Sequence, residues 1–193
     1  MSTSSLLSRR LVLSGAGKLA LSAGVIALLG GKETLAANMA GGSNDVAILN
    51  VALSLEHEAI AAYQIGAESG LLQKPVLDVA VLFQSHHKAH RDALVATVEK
   101  LGGKPVAPLA ADAYAKSSKL NVAAIKSQSD VLMLAQRLEL GAVNAYLGVI
   151  PSFGDSALAK ISGRLAADET MHYTALTQAL GGSLPKDALS YGA

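Results

Sequence analysis

Six residues of this chain have the types and the spacing to hold a cation: Glu56, His87, His90, Glu139, Glu169 and His172. They occur in a repeated order. Glu56 opens the phrase Glu-x-x-Ala-x-x-Ala-Tyr, ending at Tyr63, and Glu139 opens the same phrase, ending at Tyr146. His87-Lys-Ala-His90 follows the first copy and Glu169-Thr-Met-His172 the second, and both pairs run on to an Ala-Leu. The phrases are offset by 83 residues and the pairs by 82. So constant an offset is explained most simply by duplication of a helical hairpin.

Residues three apart on a helix lie on one face, so each pair can present two side chains to one point. Carboxylates in an apolar stripe are seldom buried unless paired or bound to a cation, because a charge without water is costly. Metal is the economical explanation for six such residues at one level. Mixed Glu/His ligation suits iron or manganese, and bridging carboxylates can hold two ions about 4 Å apart. Such a pair can take electrons from Fe²⁺ or another donor and pass them to O₂ or peroxide. Glu56, Glu139 and Glu169 bring three negative charges, which compensate a diferric pair incompletely and favour a single Mn, Fe or Zn ion, or a mixed pair. The plainer alternatives are a solvated Glu56 beside Glu58, and His87 and His90 on a polar flank with His86, Lys88 and Arg91. Tyr63 and Tyr146 are either supports of the ligands or core tyrosines whose hydroxyls need a partner.

Four helices have to position these residues. Proline occurs only at positions 75, 105, 108, 151 and 185, and the intervals are rich in helix formers. The first helix is predicted from Asp45 to Ser69, capped by Ser43 or Asn44, with Leu49, Ala52, Leu53, Glu56, Ile60 and Tyr63 inward. The second starts at Pro75 and ends before Gly102-Gly103, with Val79, Phe83, His87, His90, Leu94 and Val98 inward. The stretch from Lys104 to Lys119 joins the hairpins and is long enough to reach the far end of the bundle. The third helix is predicted over Asn121–Val149, with Leu132, Gln136, Glu139, Val143 and Tyr146 inward. The fourth runs from Gly154 to Leu180, closed by Gly181-Gly182, with Leu158, Ile161, Leu165, Glu169, His172 and Leu176 inward.

This arrangement resembles the ferritin-like superfamily, in which helices one and three each give a Glu and helices two and four each give a Glu-x-x-His. The resemblance covers roughly residues 45–180. It implies an all-α fold: an antiparallel four-helix bundle built from two hairpins, with a long crossover between helices two and three. Glu56, Glu139, Glu169 and His172 match the pattern, and Tyr63 stands where a tyrosine often accompanies the first Glu. Helix two departs from it, because His87 stands where a carboxylate is usual. An alternative register pairs Gln84 with His87, although Gln84 is a weak neutral ligand. The resemblance implies iron or manganese, mononuclear or dinuclear, and either oxidase or peroxide chemistry. A His-rich second helix running into Arg91-Asp-Ala-Leu94 is similar to small exported ferritin-like proteins.

The remaining composition sets limits. The chain has 193 residues, no cysteine, no tryptophan and two phenylalanines, so the core is Ala, Leu and Val, and thiolate ligands and cysteine catalysis are excluded. Ser8-Arg9-Arg10-Leu11-Val12-Leu13, an apolar run from Leu19 to Leu29 and the small residues Ala36, Ala37 and Ala40 resemble a twin-arginine export signal. Val12 and Ser14 depart from that motif. The run, interrupted by Gly24 and stopped at Gly30-Gly31, falls short of the roughly 20 residues that span a bilayer. An uncleaved anchor is therefore the weaker reading. Residues 1–40 are expected to be the signal peptide and leader, and 41–193 the bundle. The export machinery would be a partner, and the destination would be the periplasm or exterior of a bacterium.

Without the leader, basic and acidic residues number 12 and 14, a net charge of −2. The basic residues are scattered, so nucleic acid finds no evident track. A monomer or homodimer is expected rather than a storage cage, whose acidic entry channels have no visible counterpart. A different class of function also fits: a metal-free helical binding or interaction protein of the cell envelope.

Overall fold

The computed structural model describes residues 44–192. The expected signal and leader at 1–40, and the Ser43 cap, lie outside the described residues. The helices are α1 (Asn44–Glu68), α2 (Lys74–Lys100), the short α3 (Ala111–Ala115), α4 (Gln128–Val149) and α5 (Ser156–Ala179). Single 3-10 turns cover Val122–Ala124 and Ile150–Ser152. No strand occurs among the described residues.

Local chemistry sets the helix ends. Pro75 lies in the first turn of α2, where its missing N–H costs nothing. The Ser127 hydroxyl accepts the Asp130 amide at the start of α4, and the Asp155 carboxylate accepts the Ala157 amide at the start of α5. Gly102 and Gly181 close α2 and α5 at φ 75° and 72°, a conformation glycine adopts without steric cost. The two hairpins thus end in the same way, as their repeated sequences imply.

Three helix boundaries differ from expectation. Asn44 is the first residue of α1 instead of its cap, and its amide donates to the Ser152 carbonyl. The helix predicted to begin at Asn121 begins seven residues later. Asn121 is left-handed (φ 48°) and leads into a 3-10 turn, and the Ser127–Asp130 cap then starts the helix proper. The last helix starts at Ser156, behind the Asp155 cap, rather than at Gly154. Inward stripes also need adjustment: Val79 is 43% exposed, and Gln136 is half-buried, donating to the Thr177 hydroxyl.

Cross-helix contacts give the directions. Glu56 lies by His87, and Tyr63 by Phe83, so α1 and α2 are antiparallel. Tyr63 reaches Glu139 and Tyr146 reaches Glu56, so α1 and α4 are antiparallel. Ser162 bonds the Tyr146 carbonyl, and Gln136 bonds Thr177, so α4 and α5 are antiparallel as well. It follows that α2 and α4 run parallel, and residues 101–127 have to travel the length of the bundle to connect them.

They do so along the outer side of α1. The buried Asn50 side chain donates to the Lys104 carbonyl at 3.0 Å and accepts the Val106 amide at 2.8 Å. His57 bonds the Val106 carbonyl, Lys119 pairs with Glu58 at 2.6 Å, and Tyr114 and Leu120 pack on Ala62 and Leu134. The bundle is an all-α, ferritin-like antiparallel four-helix bundle with a long crossover.

Its interior has three layers. Leu49, Leu53, Leu94, Val98, Leu158 and Leu165 fill one end, and Tyr63, Phe83, Leu132 and Leu176 line the other. Each fully buried aliphatic side chain contributes about 1.5–3 kcal/mol. Between the two apolar layers lies a polar one. α1 is long and apolar enough to cross a membrane, yet 72% of that window is buried inside the bundle, so its apolar surface already serves as core.

Candidate metal centre

The polar layer contains Glu56 from α1, His87 and His90 from α2, Glu139 from α4, and Glu169 and His172 from α5. All six are buried: Glu56, His87 and Glu139 are 1% exposed, Glu169 and His172 0%, and His90 8%. The structure brings every ligand candidate of the sequence to one place. Mid-helix carboxylates on an apolar stripe can go nowhere else once the helices pack.

The side chains form a ring of alternating Glu and His. His87 Nδ1 is 2.8 Å from Glu56 Oε2, and its Nε2 is 3.2 Å from Glu139 Oε1. His172 Nδ1 lies 3.0 Å from Glu169 Oε2 and 3.5 Å from Glu139 Oε2. His90 Nδ1 lies 3.2 Å from Glu169 Oε1 and 3.5 Å from Glu56 Oε1. Two sets of four place one ligand atom from each residue within 4.8 Å of all the others: Glu56, His87, His90 and Glu169; and His87, Glu139, Glu169 and His172. The sets share His87 and Glu169, which occupy equivalent places in the sequence repeat. Glu56 with His90 is the hairpin-one counterpart of Glu139 with His172.

Electrostatics follow from burial and from this ring. Burial pushes the carboxyls up, but the adjacent His87 and His90 outweigh it at Glu56, and the adjacent His172 and His87 outweigh it at Glu139. Both are held below the usual carboxylate range. At Glu169 burial prevails, with the Glu139 charge adding to it, and the carboxyl is held above that range. Burial alone would lower the histidines, yet the surrounding carboxylates raise all three, His90 to about 10. Burial and the neighbouring Glu139 and Glu56 charges raise the Tyr63 and Tyr146 hydroxyls, so both remain donors.

Those hydroxyls are committed. Tyr63 donates to Glu139, and Tyr146 donates to Glu56. Each hairpin's tyrosine therefore orients the other hairpin's carboxylate. The ring nevertheless leaves three buried atoms without a hydrogen-bond partner: His90 Nδ1, Glu139 Oε2 and Glu169 Oε1. All three belong to the ligand sets and face their neighbours at 3.2–3.5 Å without hydrogen-bond alignment. The two carboxylate oxygens offer a cation unused lone pairs, and His90 Nδ1 does so once its proton is displaced.

The chain belongs to the ferritin-like domain family. The family model matches residues 44–182, most of the chain. A conserved hypothetical protein from Mycobacterium tuberculosis has a similar fold, with a TM-score of 0.62 and 21% identity over 75% of this chain and 96% of that one. So has a bacterioferritin-related protein from Bacteroides fragilis, described as a dodecameric thioferritin, with a TM-score of 0.60 and 19% identity over 78% of this chain and 94% of that one. At such identities these likenesses show fold alone. A search of curated proteins finds no match. In this ferritin-like chain the buried Glu/His group is compatible with metal binding.

The sequence reading passed over two residues at the site. His86, placed on a polar flank, stacks on the His172 ring with its Nδ1 2.9 Å from His172 Nε2. The exposed Asp168 reaches His90 Nε2 at 3.1 Å. Each fixes the far nitrogen of a ring whose Nδ1 faces the cluster, the arrangement by which outer partners orient histidine ligands. Their signal was adjacency to a ligand: His86 precedes His87, and Asp168 precedes Glu169. Gln84 is not a ligand, because its amide is used by the Ile60 carbonyl, Gln64 and Lys88.

Proposed function

We propose that this is an exported ferritin-like protein that binds iron or manganese through Glu56, His87, His90, Glu139, Glu169 and His172, and reacts with O₂ or peroxide. The observation that carries the reading is the pair of overlapping four-ligand sets, together with the three orphaned donor atoms inside them. Glu56 and His90 would hold one position and Glu139 and His172 the other, with His87 and Glu169 common to both sets. A bound redox metal supplies one-electron chemistry toward oxygen species. The chain's own contribution is to hold Glu56 and Glu139 ionised, to keep the Tyr63 and Tyr146 hydroxyls protonated at their oxygens, and to exclude bulk water with apolar layers on both sides.

The test is metal content by elemental analysis of the mature protein from its native compartment, beside a Glu169→Ala/His172→Ala variant. One or two Fe or Mn ions per chain, lost in the variant, support the reading. A folded wild-type protein with stoichiometry near zero overturns it. Export is supported by the Arg9-Arg10 motif and its apolar run; an Arg9→Lys/Arg10→Lys variant retained in the cytoplasm would bear this out, and unchanged export would remove it.

One observation favours a second reading. Three imidazoliums and three carboxylates can neutralise one another, and His87 bonds Glu56 and Glu139 directly. A metal-free binding or interaction protein of the cell envelope would keep its fold and function under chelation. We further propose a monomer or dimer in solution; light scattering that shows a mass of hundreds of kilodaltons would replace this with a cage.

A further inference from the structure

The two apolar layers beside the Glu/His ring are not packed alike. One is filled by large side chains from all four long helices, among them Leu53, Leu94, Val98 and Leu165. At the other, between the C-terminal halves of α1 and α5 and the N-terminal halves of α2 and α4, there is a cavity of about 240 Å³. Its walls are apolar, with the small residues Ala62, Gly66, Ala80, Ala135 and Ala175 set among larger Leu, Val, Phe and Tyr side chains, and it carries no charged side chain. Its one side-chain hydroxyl, on Tyr63, is already committed to Glu139. Small residues on four separate helices leave the space open, and a water molecule there would find no free side-chain partner.

We propose that this cavity is a binding site for a small, uncharged, apolar molecule. An apolar cavity of roughly 150 Å³ stays dry and accepts benzene, so this larger one has room for a compact hydrocarbon or a short aliphatic chain. An occupant restores the dispersion contacts that the lining lacks. Phe83 and Tyr63 line the side that faces the ring. Phe83 stacks on His172 with centroids 4.1 Å apart, and Tyr63 packs on His87 at 5.3 Å. A bound molecule would lie one aromatic thickness from the Glu/His ring. Pro75, Val79, Ala175 and Ala179 also line it and are exposed, so the space opens to the surface between α2 and α5.

The site needs no metal, so its test is independent of the metal-binding reading. Cyclohexane is the probe, titrated into the full chain in the presence of a chelator and followed by amide NMR. Saturable shifts confined to Gly66, Ala80, Leu132 and their neighbours are expected, with a raised thermal midpoint. Ala80→Phe, which fills the space, should keep the helical spectrum and abolish the saturable shifts. Val76→Phe serves the same purpose should the first variant not fold. Absence of saturable shifts in the wild-type chain overturns the proposal, and so do shifts that persist in a folded cavity-filled variant.

Discussion

Tyr146 donates its hydroxyl to Glu56, ninety residues away on the opposite hairpin, and Tyr63 does the same for Glu139. This reciprocity is the three-dimensional form of the sequence repeat. Each copy of Glu-x-x-Ala-x-x-Ala-Tyr supplies one ligand candidate and the hydroxyl that orients its twin. An antiparallel pair of helices makes this possible, since seven residues along α1 correspond to seven residues back along α4.

Replacing Tyr146 by phenylalanine leaves the buried Glu56 Oε1 without its donor, and replacing Tyr63 leaves Glu139 Oε1 with His87 alone. Tyr146→Phe and Tyr63→Phe are each expected to cost about 1–3 kcal/mol in denaturant unfolding of the metal-free protein. Loss of an orienting partner weakens metal binding about 10–100-fold in comparable sites, and competition with a chromophoric chelator measures this. A Tyr63→Phe change that left both stability and affinity untouched would remove the orienting role.

The pH dependence has a definite sign. His90 is raised from an ordinary 6.5 to about 10, and His87 and His172 are raised too. A raised folded-state value contributes stability that is fully present below the unfolded value and is lost as pH rises through the folded one. The metal-free protein should therefore lose stability progressively above pH 6.5 and up to pH 10, seen as a falling denaturant midpoint. Metal binding must displace these same protons. Affinity is thus expected to rise with pH across that interval, with proton release detectable by calorimetry in buffers of different ionisation enthalpy.

His87 occupies the place where a carboxylate is usual, and it lies between Glu56 and Glu139 with its side chain 1% exposed. His87→Glu would bury a fourth carboxylate and remove the cation that pairs two others. Uncompensated buried charge costs about 3–5 kcal/mol, so the metal-free variant should be strongly destabilised at pH 7. Mn²⁺ or Zn²⁺ should restore much of that loss, because the extra charge favours a second ion. A thermal-melt series with and without metal checks both halves; a variant as stable as wild type in chelator would show that His87 carries no charge.

Much of this was legible in the sequence because it depended on helical period alone. Glu56, Glu139, Glu169 and His172 lie on apolar stripes, and packing four such stripes leaves their polar members one common level. What period does not specify was missed. Val79 has the spacing of a core residue, but it borders a cavity, so the stripe gives way there to a partly exposed wall. The start of α4 was misplaced because propensity carries the helix back to Asn121, whereas the Ser127–Asp130 cap decides it. His86 and Asp168 show in the sequence only as neighbours of ligands, because their pairings arise where α2 meets α5, between residues 78 and 86 positions apart.

The crossover supplies the last prediction. Asn50 was unmarked in the sequence, the one polar residue between Val46 and Leu53, yet it is 4% exposed and uses both ends of its amide on the backbone at Lys104 and Val106. That clamp fixes the beginning of the segment joining the hairpins. Asn50→Ala would remove both hydrogen bonds to the part-buried Lys104 carbonyl and Val106 N–H, at an expected cost of about 0.5–1.5 kcal/mol for each bond. Asn50→Asp keeps the acceptor for Val106 but loses the donor to Lys104, and should fall between wild type and alanine. Because Asn50 makes none of the contacts of the Glu/His ring, neither change should alter metal stoichiometry in the folded protein. Amide exchange at Val106 should accelerate in the alanine variant while exchange in the middle of α4 follows global stability alone, which separates a local clamp from a general loss of packing.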